Sequence, residues 1–233
     1  MSYSDILRIK NLGNFSKLLT NPLYRPILVT DGLVLYLDGR DFTNSPPTTT
    51  WIDRSGLGNN AIPSGFAYTT ASGSDGVGGV VFDGVDDKVI STLPTYSLSN
   101  ISIELNFNLK TLSKTPYILN TNDSGVVGAN PILFWSSSSQ KIAYNSTNTP
   151  NRYLTYPILI DTFYHIVITI NNNSVVIKIN NQIVDSFLDA SFVASTKLFI
   201  SSNLNFEGKV KTLRVYNRAL TDLEIAQNYN ASK

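Results

Sequence analysis

The chain has 233 residues, 42% of them hydrophobic and 15% charged, with a formal net charge of +1. This length suits one all-β domain or one domain with an extra arm, and no Lys/Arg run suggests a nucleic-acid partner. The absence of cysteine excludes disulfides and thiol chemistry, and no apolar stretch is long enough for membrane insertion.

The first thirty residues carry apolar side chains about every three positions, a spacing that favours helical turns over a strand. Pro22 and Pro26 end this pattern. We interpret residues 1–30 as an N-terminal arm that packs on its own domain or docks on another subunit. We favour docking on another subunit, because an undocked arm would leave its apolar stripe exposed to water, which costs free energy. The stripe consists of Ile6, Ile9, Leu12, Phe15 and Leu18.

The β signal begins near residue 32, where leucines alternate with other residues up to Asp38. A Trp-Ile-Asp-Arg-Ser-Gly-Leu-Gly-Asn run follows at residues 51–59, and its Gly56 and Gly58 indicate a tight turn that needs positive φ. The next pattern, at residues 79–89, contains Phe82-Asp83-Gly84. It predicts two strands joined by an Asp-Gly turn.

Residues 101–110 alternate between apolar and polar side chains without an error, which predicts a strand with one core face and one wet or lightly covered face. Ile103, Leu105 and Phe107 belong to the core face. Residues 164–184 repeat the pattern in three short runs, separated by an Asn-rich turn at 171–174 and by Asn180-Asn181.

The C-terminal part predicts a strand from Lys209 to Tyr216 and a short helix near 222–227. Thr221 is the expected N-cap, and Glu224, three residues later, completes a capping box. The strand, the intervening turn and the capped helix together form a closing unit.

In this order, the run at 51–59, the Phe-Asp-Gly turn, Tyr164-His165 with Asn180-Asn181, and the closing unit resemble motifs of laminin-G-like, concanavalin A-like jelly rolls. The resemblance covers residues 31–233. It implies an all-β fold, an antiparallel two-sheet jelly-roll sandwich with a short C-terminal helix, whose last strand returns to the middle of a sheet. The sequence departs from the family at Lys88, where an aromatic residue is usual.

The residues argue against catalysis. Glycosidases need two carboxylates placed across the sugar bond, and related glucanases of this fold carry a Glu-x-Asp-x-x-Glu strand. The comparable strand here offers Glu104 alone. His165, the one histidine, has no partner pattern for nucleophilic chemistry and is interpreted as a structural strand residue. We therefore expect no enzyme and no catalytic residues.

Calcium is the metal that the loops could hold, because their carboxylates are oxygen donors: Asp53, Asp83, Asp86 and Asp87. The alternative is that they cap backbone N–H groups in Asx turns. The resemblance implies that many relatives hold a structural calcium through an Asp in the last strand, and Lys211 stands at that position. We expect no cofactor, with structural calcium as the less favoured alternative.

Sugar sites combine aromatic rings with polar groups, and the loop-rich region 117–156 supplies both. The candidate ligand-binding residues are Trp135, Tyr144, Arg152 and Tyr153. The alternative is that the rings are core residues, since Phe134-Trp135 also reads as a strand.

The whole sequence resembles bacteriophage virion proteins that carry a laminin-G-like module behind a short N-terminal segment. It lacks the pattern of a signal peptide. The resemblance implies a non-catalytic structural or adhesion component of a phage-like virion, assembled in the host cytoplasm, displayed on the particle surface and joined to other virion proteins through its arm. The alternative is a carbohydrate-binding, lectin-like module that recognises host-surface glycans.

Overall fold

The computed structural model describes residues 27–94, 100–121, 131–146, 150–189, 196–202 and 206–232. The predicted docking stripe (Ile6, Ile9, Leu12, Phe15 and Leu18) lies outside the described residues, so its role stays a prediction. Within the described part of the chain, no helix combines the length and the apolar character needed to cross a bilayer.

Strands dominate the described chain. In chain order they are β1 (Leu33–Asp38), β2 (Ala61–Ser64), β3 (Gly73–Ser74), β4 (Val80–Asp83), β5 (Lys88–Thr92), β6 (Asn100–Leu109), β7 (Tyr117–Asn120), β8 (Pro131–Ser136), β9 (Lys141–Tyr144), β10 (Arg152–Tyr153), β11 (Tyr164–Asn171), β12 (Ser174–Ile179), β13 (Gln182–Leu188), β14 (Lys197–Ser202) and β15 (Glu207–Tyr216). A 3-10 helix, Gly39–Asp41, follows β1, and one α-helix, α1 (Asp222–Ala231), follows β15.

These strands form two antiparallel sheets. The eight-stranded sheet has the order β13-β12-β11-β6-β15-β4-β3, with β1 also paired to β15. The seven-stranded sheet has the order β10-β9-β8-β7-β14-β5-β2. The last strand, β15, lies between β6 and β4 and contacts β1 from the start of the domain, as predicted. The all-β jelly-roll prediction is therefore confirmed.

Alternating apolar side chains build the core between the sheets. Ile103, Leu105 and Phe107 of β6, Ile166 and Ile168 of β11, and Val215 of β15 are all at most 4% exposed and belong to one apolar cluster. The opposite face of β6 was predicted to be wet or lightly covered. It is not wet, because every residue from Ile101 to Leu109 is buried. The polar side chains of β6 are therefore structural residues of a covered face.

Local turn chemistry follows the sequence closely. The β11–β12 turn places Asn172 and Asn173 at φ +47° and +69°, and the β12–β13 turn places Asn180 and Asn181 at φ +50° and +65°. Asn tolerates this left-handed region better than most residues and favours two-residue hairpin turns. Gly56 and Gly58 also have positive φ, as predicted.

The Phe-Asp-Gly segment joins two strands, but not in a hairpin. β4 pairs with β15 in the eight-stranded sheet, whereas β5 pairs with β14 and β2 in the seven-stranded sheet. The turn at Gly84–Asp87 therefore carries the chain from one sheet to the other. Strand and turn residues alone do not distinguish a hairpin from such a crossing.

The chain divides into two compact units, residues 31–220 and, among the described residues, 27–30 with 221–232. The second unit contains α1, which is longer than predicted. Its capping box is present: the Glu224 N–H donates to Thr221 Oγ1 at 3.3 Å, and the Thr221 N–H donates to Glu224 Oε2 at 2.8 Å. In the same unit the Val29 N–H donates to Asn228 Oδ1 at 2.9 Å.

Candidate functional site

A groove of about 550 Å³ opens beside the 3-10 helix, between the loop after it and the loop after β3. We call it the Arg40 groove. Its polar and apolar side chains come from Arg40, Phe42, Thr43, Asn44, Thr70, Ser74 and Val77, and three glycines complete it. Arg40 is the one ionisable side chain among the described residues that line it. The described lining residues therefore offer hydrogen-bonding groups without a carboxylate.

Asn44 fixes the two walls of the Arg40 groove to each other. Its Oδ1 accepts from the Ser74 N–H at 2.7 Å, and its Nδ2 donates to the Ser74 carbonyl at 2.8 Å. One side chain thus imitates a strand partner for β3. Because both bonds are made before any ligand arrives, the walls are preorganised.

Glycine is required where the Arg40 side chain crosses the opposite loop. Gly78 has φ +97°, and a Cβ there would lie 2.9 Å from Arg40 Cγ. A Cβ on Gly39 would overlap the Gly78 carbonyl oxygen. By contrast, a Cβ on Gly76 would meet nothing within 4 Å. Close packing therefore holds the aliphatic stem of Arg40 at one side, and open space begins near Gly76.

A buried carboxylate orients the Arg40 guanidinium. Asp38 is 2% exposed, whereas the Arg40 side chain is 66% exposed. Arg40 Nε donates to Asp38 Oδ1 at 2.9 Å, and Nη2 donates to Oδ2. Arg54 Nη1 and the Tyr36 hydroxyl also donate to Oδ2, at 3.0 and 2.8 Å. Nη1 of Arg40 takes no part in these bonds.

The pKa of Asp38 records this arrangement. Burial alone would raise it, but the hydrogen bonds from the Arg40 side chain, the Arg40 N–H and Tyr36, with the charge of Arg54, outweigh burial. Together they lower the pKa of Asp38 to about 2. The carboxylate therefore stays ionised at ordinary pH, and the Arg40 side chain stays attached to it.

The acidic turn between β4 and β5 brings three carboxylates, those of Asp83, Asp86 and Asp87, to within 4.8 Å of one another. Asp87 is buried; it accepts from the Asp83 N–H at 2.8 Å and from the Ser72 hydroxyl at 2.9 Å. Burial raises the pKa of Asp87 to about 6, aided by Asp83 and Asp86 and opposed by these hydrogen bonds. Carboxylate oxygens of the turn therefore already accept hydrogen bonds from groups of the protein itself.

The other residues of the calcium hypothesis lie apart from this cluster. Asp53 accepts from the backbone N–H groups of Tyr36, Ser55 and Asn59 at 2.8 to 3.0 Å, the pattern of a turn-stabilising carboxylate. Lys211 Nζ lies 4.1 Å from the centroid of the Phe163 ring. Structural calcium stays the less favoured alternative for the acidic turn.

The predicted sugar-binding set does not form one surface. Trp135 and Tyr144 are at most 1% exposed and belong to the main core, so their faces cannot stack on a sugar. Arg152 makes a bidentate pair with Asp185, at 2.8 and 2.9 Å, and lies 4.0 Å from the centroid of the Phe187 ring. Tyr153 is 42% exposed. A ligand can therefore reach Arg152 and Tyr153, but not the two core rings.

Glu104 and His165 lie in a sealed network. Glu104 Oε2 accepts from Arg214 Nη1 at 3.0 Å, and His165 Nε2 lies 3.8 Å from Glu104 Oε1. All three side chains are at most 3% exposed. Burial, followed by the charge of Arg214, lowers the pKa of His165 to about 3, so the imidazole is neutral. In the described structure these three side chains therefore expose almost no surface to solvent.

A family model described as concanavalin A-like lectin/glucanases superfamily matches residues 83–226, more than half of the chain. The chain belongs to this superfamily. The match begins at the acidic turn and ends inside α1, and it includes the sealed network and the predicted sugar set. The Arg40 groove lies before it. Among curated proteins, no sequence matches the chain.

Solved structures show the same fold at low identity. Trypanosoma rangeli sialidase in complex with sialic acid is 14% identical, with a TM-score of 0.68 over 97% of this chain and 38% of the sialidase chain. The botulinum neurotoxin serotype D binding domain is 12% identical, with a TM-score of 0.61 over 86% of this chain and 52% of that domain. This concanavalin A-like chain thus spans about two-fifths of the length of the sialidase chain and about half of the length of the neurotoxin binding domain.

Sequence reasoning missed the Arg40 groove. The polar residues at 41–47 and the Ser/Gly-rich residues at 72–76 are typical of surface loops, and neither stretch contains a known ligand motif. The available signal was the cluster of glycines at 76, 78 and 79, since Gly marks places where backbones approach closely. Which segment approaches them was not visible in the sequence.

Proposed function

We propose that this chain is a non-catalytic, lectin-type adhesion module that binds a glycan in the Arg40 groove. The observation that carries the proposal is the groove itself: it is open, preorganised and lined by hydroxyl, amide and guanidinium groups, with no carboxylate among its described lining residues. Such a lining suits the hydroxyl-rich surface of a sugar. Hydrolysis of a sugar bond would need two carboxylates there.

The carboxylates elsewhere support a binding role over a catalytic one. Glu104 is sealed against Arg214. Asp87 is 2% exposed and bonded to its own turn, so it cannot approach a glycosidic oxygen without unfolding that turn. The superfamily contains both lectins and glucanases by its own description, so membership alone does not decide between these roles.

The names of similar structures include an enzyme and binding domains, so they do not decide between the two roles. One solved relative is a sialidase in complex with sialic acid, and others are neurotoxin binding domains. Identity of 14% or less carries the fold alone. The site in this chain must therefore be argued from its own residues.

A glycan array probed with the full chain tests the proposal, followed by a hydrolysis assay on every glycan that binds. We expect selective binding and no release of sugar. Arg40→Gln should weaken the binding. Release of reducing sugar would contradict the non-catalytic part, and a blank array confirmed by solution titration would contradict the glycan-binding part.

Display of this module on a phage-like virion, through an arm at residues 1–30, stays a prediction that rests on the sequence resemblance. Mass spectrometry of purified particles from the source of the sequence tests it, with the chain expected among the structural proteins. Deleting residues 1–26 should then leave a folded domain that no longer joins the particle. Normal incorporation of the truncated chain would contradict the docking role of the arm.

A further inference from the structure

We infer that the ligand of the Arg40 groove is an acidic saccharide whose carboxylate contacts the Arg40 guanidinium. This inference rests on the proposed glycan-binding function and adds the class of sugar. Three features carry it: the charge that faces the groove, the orientation of that charge before binding, and the balance of the charges around it.

The first feature is the charge that a ligand meets. Arg40 is the one ionisable residue among the described lining residues, and its side chain is 66% exposed. Asp38, its partner, is 2% exposed, so the carboxylate is hidden from a ligand while the guanidinium is not. Its bonds to Asp38 use Nε and Nη2 and leave Nη1 available. Guanidinium groups bind carboxylates strongly because charge assists the hydrogen bond.

The second feature is preorganisation. A free arginine on a surface loses side-chain freedom when it binds an anion, and that loss cancels much of the gain. Here Asp38 holds one edge of the guanidinium, and Gly78 packs against the aliphatic stem. Most of this freedom is therefore lost on folding rather than on binding, and a ligand carboxylate gains the fuller benefit of the contact.

The third feature is that neighbouring carboxylates are already paired. Arg54 forms a bidentate pair with Asp41, with both N–O distances at 2.6 Å. Asp75, below the glycine loop, is 10% exposed and bonded to Lys209 Nζ at 3.0 Å. Each of these carboxylates thus has a cationic partner, and Arg54 serves both Asp41 and Asp38. A ligand acid group meets one exposed cation and little unscreened negative charge.

The rest of the groove suits the remainder of a sugar. Thr70 supplies a hydroxyl group. Thr43 offers its hydroxyl oxygen as an acceptor, since its hydrogen is donated to the Pro46 carbonyl at 2.7 Å. The two glycines of the Gly76–Gly78 loop leave room for a ligand to approach the backbone. Val77, at 84% exposure, forms an apolar rim. These groups match the hydroxyl and C–H surfaces of a saccharide better than a simple inorganic anion, which would need several converging donors.

Exposed positions allow a test that does not depend on the stability of Arg40 variants. Val77 is 84% exposed, so a substitution there changes the groove with little effect on folding. Val77→Glu adds a negative charge at the rim and Val77→Lys a positive one. Val85, at 65% exposure in the acidic turn, provides a matched control, Val85→Glu, outside the groove.

Each acidic probe is paired with a neutral counterpart. Sialyllactose is paired with lactose, which lacks the whole sialic acid residue, and tetragalacturonate is paired with the same oligosaccharide after reduction of all its carboxyl groups. Isothermal titration of the full chain measures each affinity. We expect at least one acidic probe to bind and its neutral counterpart to bind about tenfold more weakly or worse. Val77→Glu and Arg40→Gln should each weaken acidic binding by about tenfold, Val77→Lys should strengthen it, and Val85→Glu should leave it unchanged.

The outcomes separate this inference from the function on which it rests. Equal or better binding of the neutral partners, or identical effects of Val77→Glu and Val77→Lys, overturns the acidic-ligand inference while leaving glycan binding intact. Loss of binding in Arg152→Gln with none in Arg40→Gln moves the site to the Tyr153 region and also overturns it. Absence of binding to any saccharide, on the array and in titration, overturns the proposed function itself.

Discussion

Two of the arginine–carboxylate pairs in this molecule, Arg214–Glu104 and Arg40–Asp38, differ sharply in exposure. In the Arg214–Glu104 pair, both side chains are at most 3% exposed. In the Arg40–Asp38 pair, the acid is equally buried but the arginine is 66% exposed. Tyr36 lies between them: its hydroxyl donates to Asp38, and the guanidinium carbon of Arg214 lies 5.2 Å from its ring centroid.

The exposure of each pair decides whether a ligand can contact it. A fully buried pair is enclosed by the fold, so a ligand cannot reach its donors. A pair with a buried acid and an exposed base has a fixed orientation and an accessible edge. An arginine paired with a carboxylate therefore serves the fold in one place and, under the proposed function, recognition in the other.

The largest effect is expected from breaking the sealed pair. Glu104→Ala leaves the Arg214 charge buried without its carboxylate, and removing one partner of a buried pair typically costs about 3–5 kcal/mol of unfolding free energy. Glu104→Gln, which keeps an oxygen acceptor of the same shape, should cost less. Urea denaturation measures both. A cost below about 1 kcal/mol for Glu104→Ala would show that the pair is not structural.

Acid should weaken the Asp38 pair next. The pKa of Asp38 is about 2 in the fold, below its ordinary value of 3.8, so the ionised form is the stabilising one. Its contribution is complete above pH 4 and is lost as the pH falls from about 4 to 2, with a total of about 2 kcal/mol. Unfolding free energies of the native chain and Asp38→Asn should converge over this range. Parallel curves would contradict the assignment.

The sequence predicted the features that depend on neighbouring residues and missed those that depend on segments distant in the chain. The strand at β6, the Asn-Asn turns and the Thr221–Glu224 capping box depend on neighbouring residues, and each was predicted. The crossing of β4 and β5 to different sheets was not, because turn chemistry at Asp83-Gly84 is the same for a hairpin and a crossing. Burial of the polar face of β6 also depends on segments distant in the chain.

The candidate site was harder to predict from the sequence than the strands and turns. The Arg40 groove depends on a contact between Asn44 and Ser74, thirty residues apart, and on a close approach of Arg40 to Gly78. Neither contact leaves a periodic signal. Trp135 and Tyr144 are buried and cannot bind a sugar, contrary to the prediction. Composition shows that aromatic rings are present, but it does not show which face of a strand they occupy.

A smaller effect on stability is expected for the open pair. Arg40→Gln leaves Asp38 with Arg54 and Tyr36 as donors, and most of the Arg40 side chain is solvent-exposed. We expect a loss of about 1 kcal/mol or less, well under that of Glu104→Ala. Urea denaturation of both variants in one buffer gives the ratio. Equal losses would remove the contrast between the two pairs.

The smallest effect is expected from metal. The acidic turn uses carboxylate oxygens on its own backbone and on Ser72, so we expect EDTA and added calcium to leave the melting temperature unchanged. Differential scanning fluorimetry with and without calcium tests this. A rise in melting temperature that Asp86→Asn abolishes would instead establish a structural calcium at the turn.

The most direct test of the account is an NMR titration of the isotope-labelled full chain with an acidic saccharide that binds it. The account predicts the largest shift changes at the Arg40 side-chain Nε–H and at the backbone amides of Gly76–Gly78, with little change at Arg152 and Tyr153. Shift changes centred on Arg152 and Tyr153, with the Arg40 groove unaffected, would contradict it.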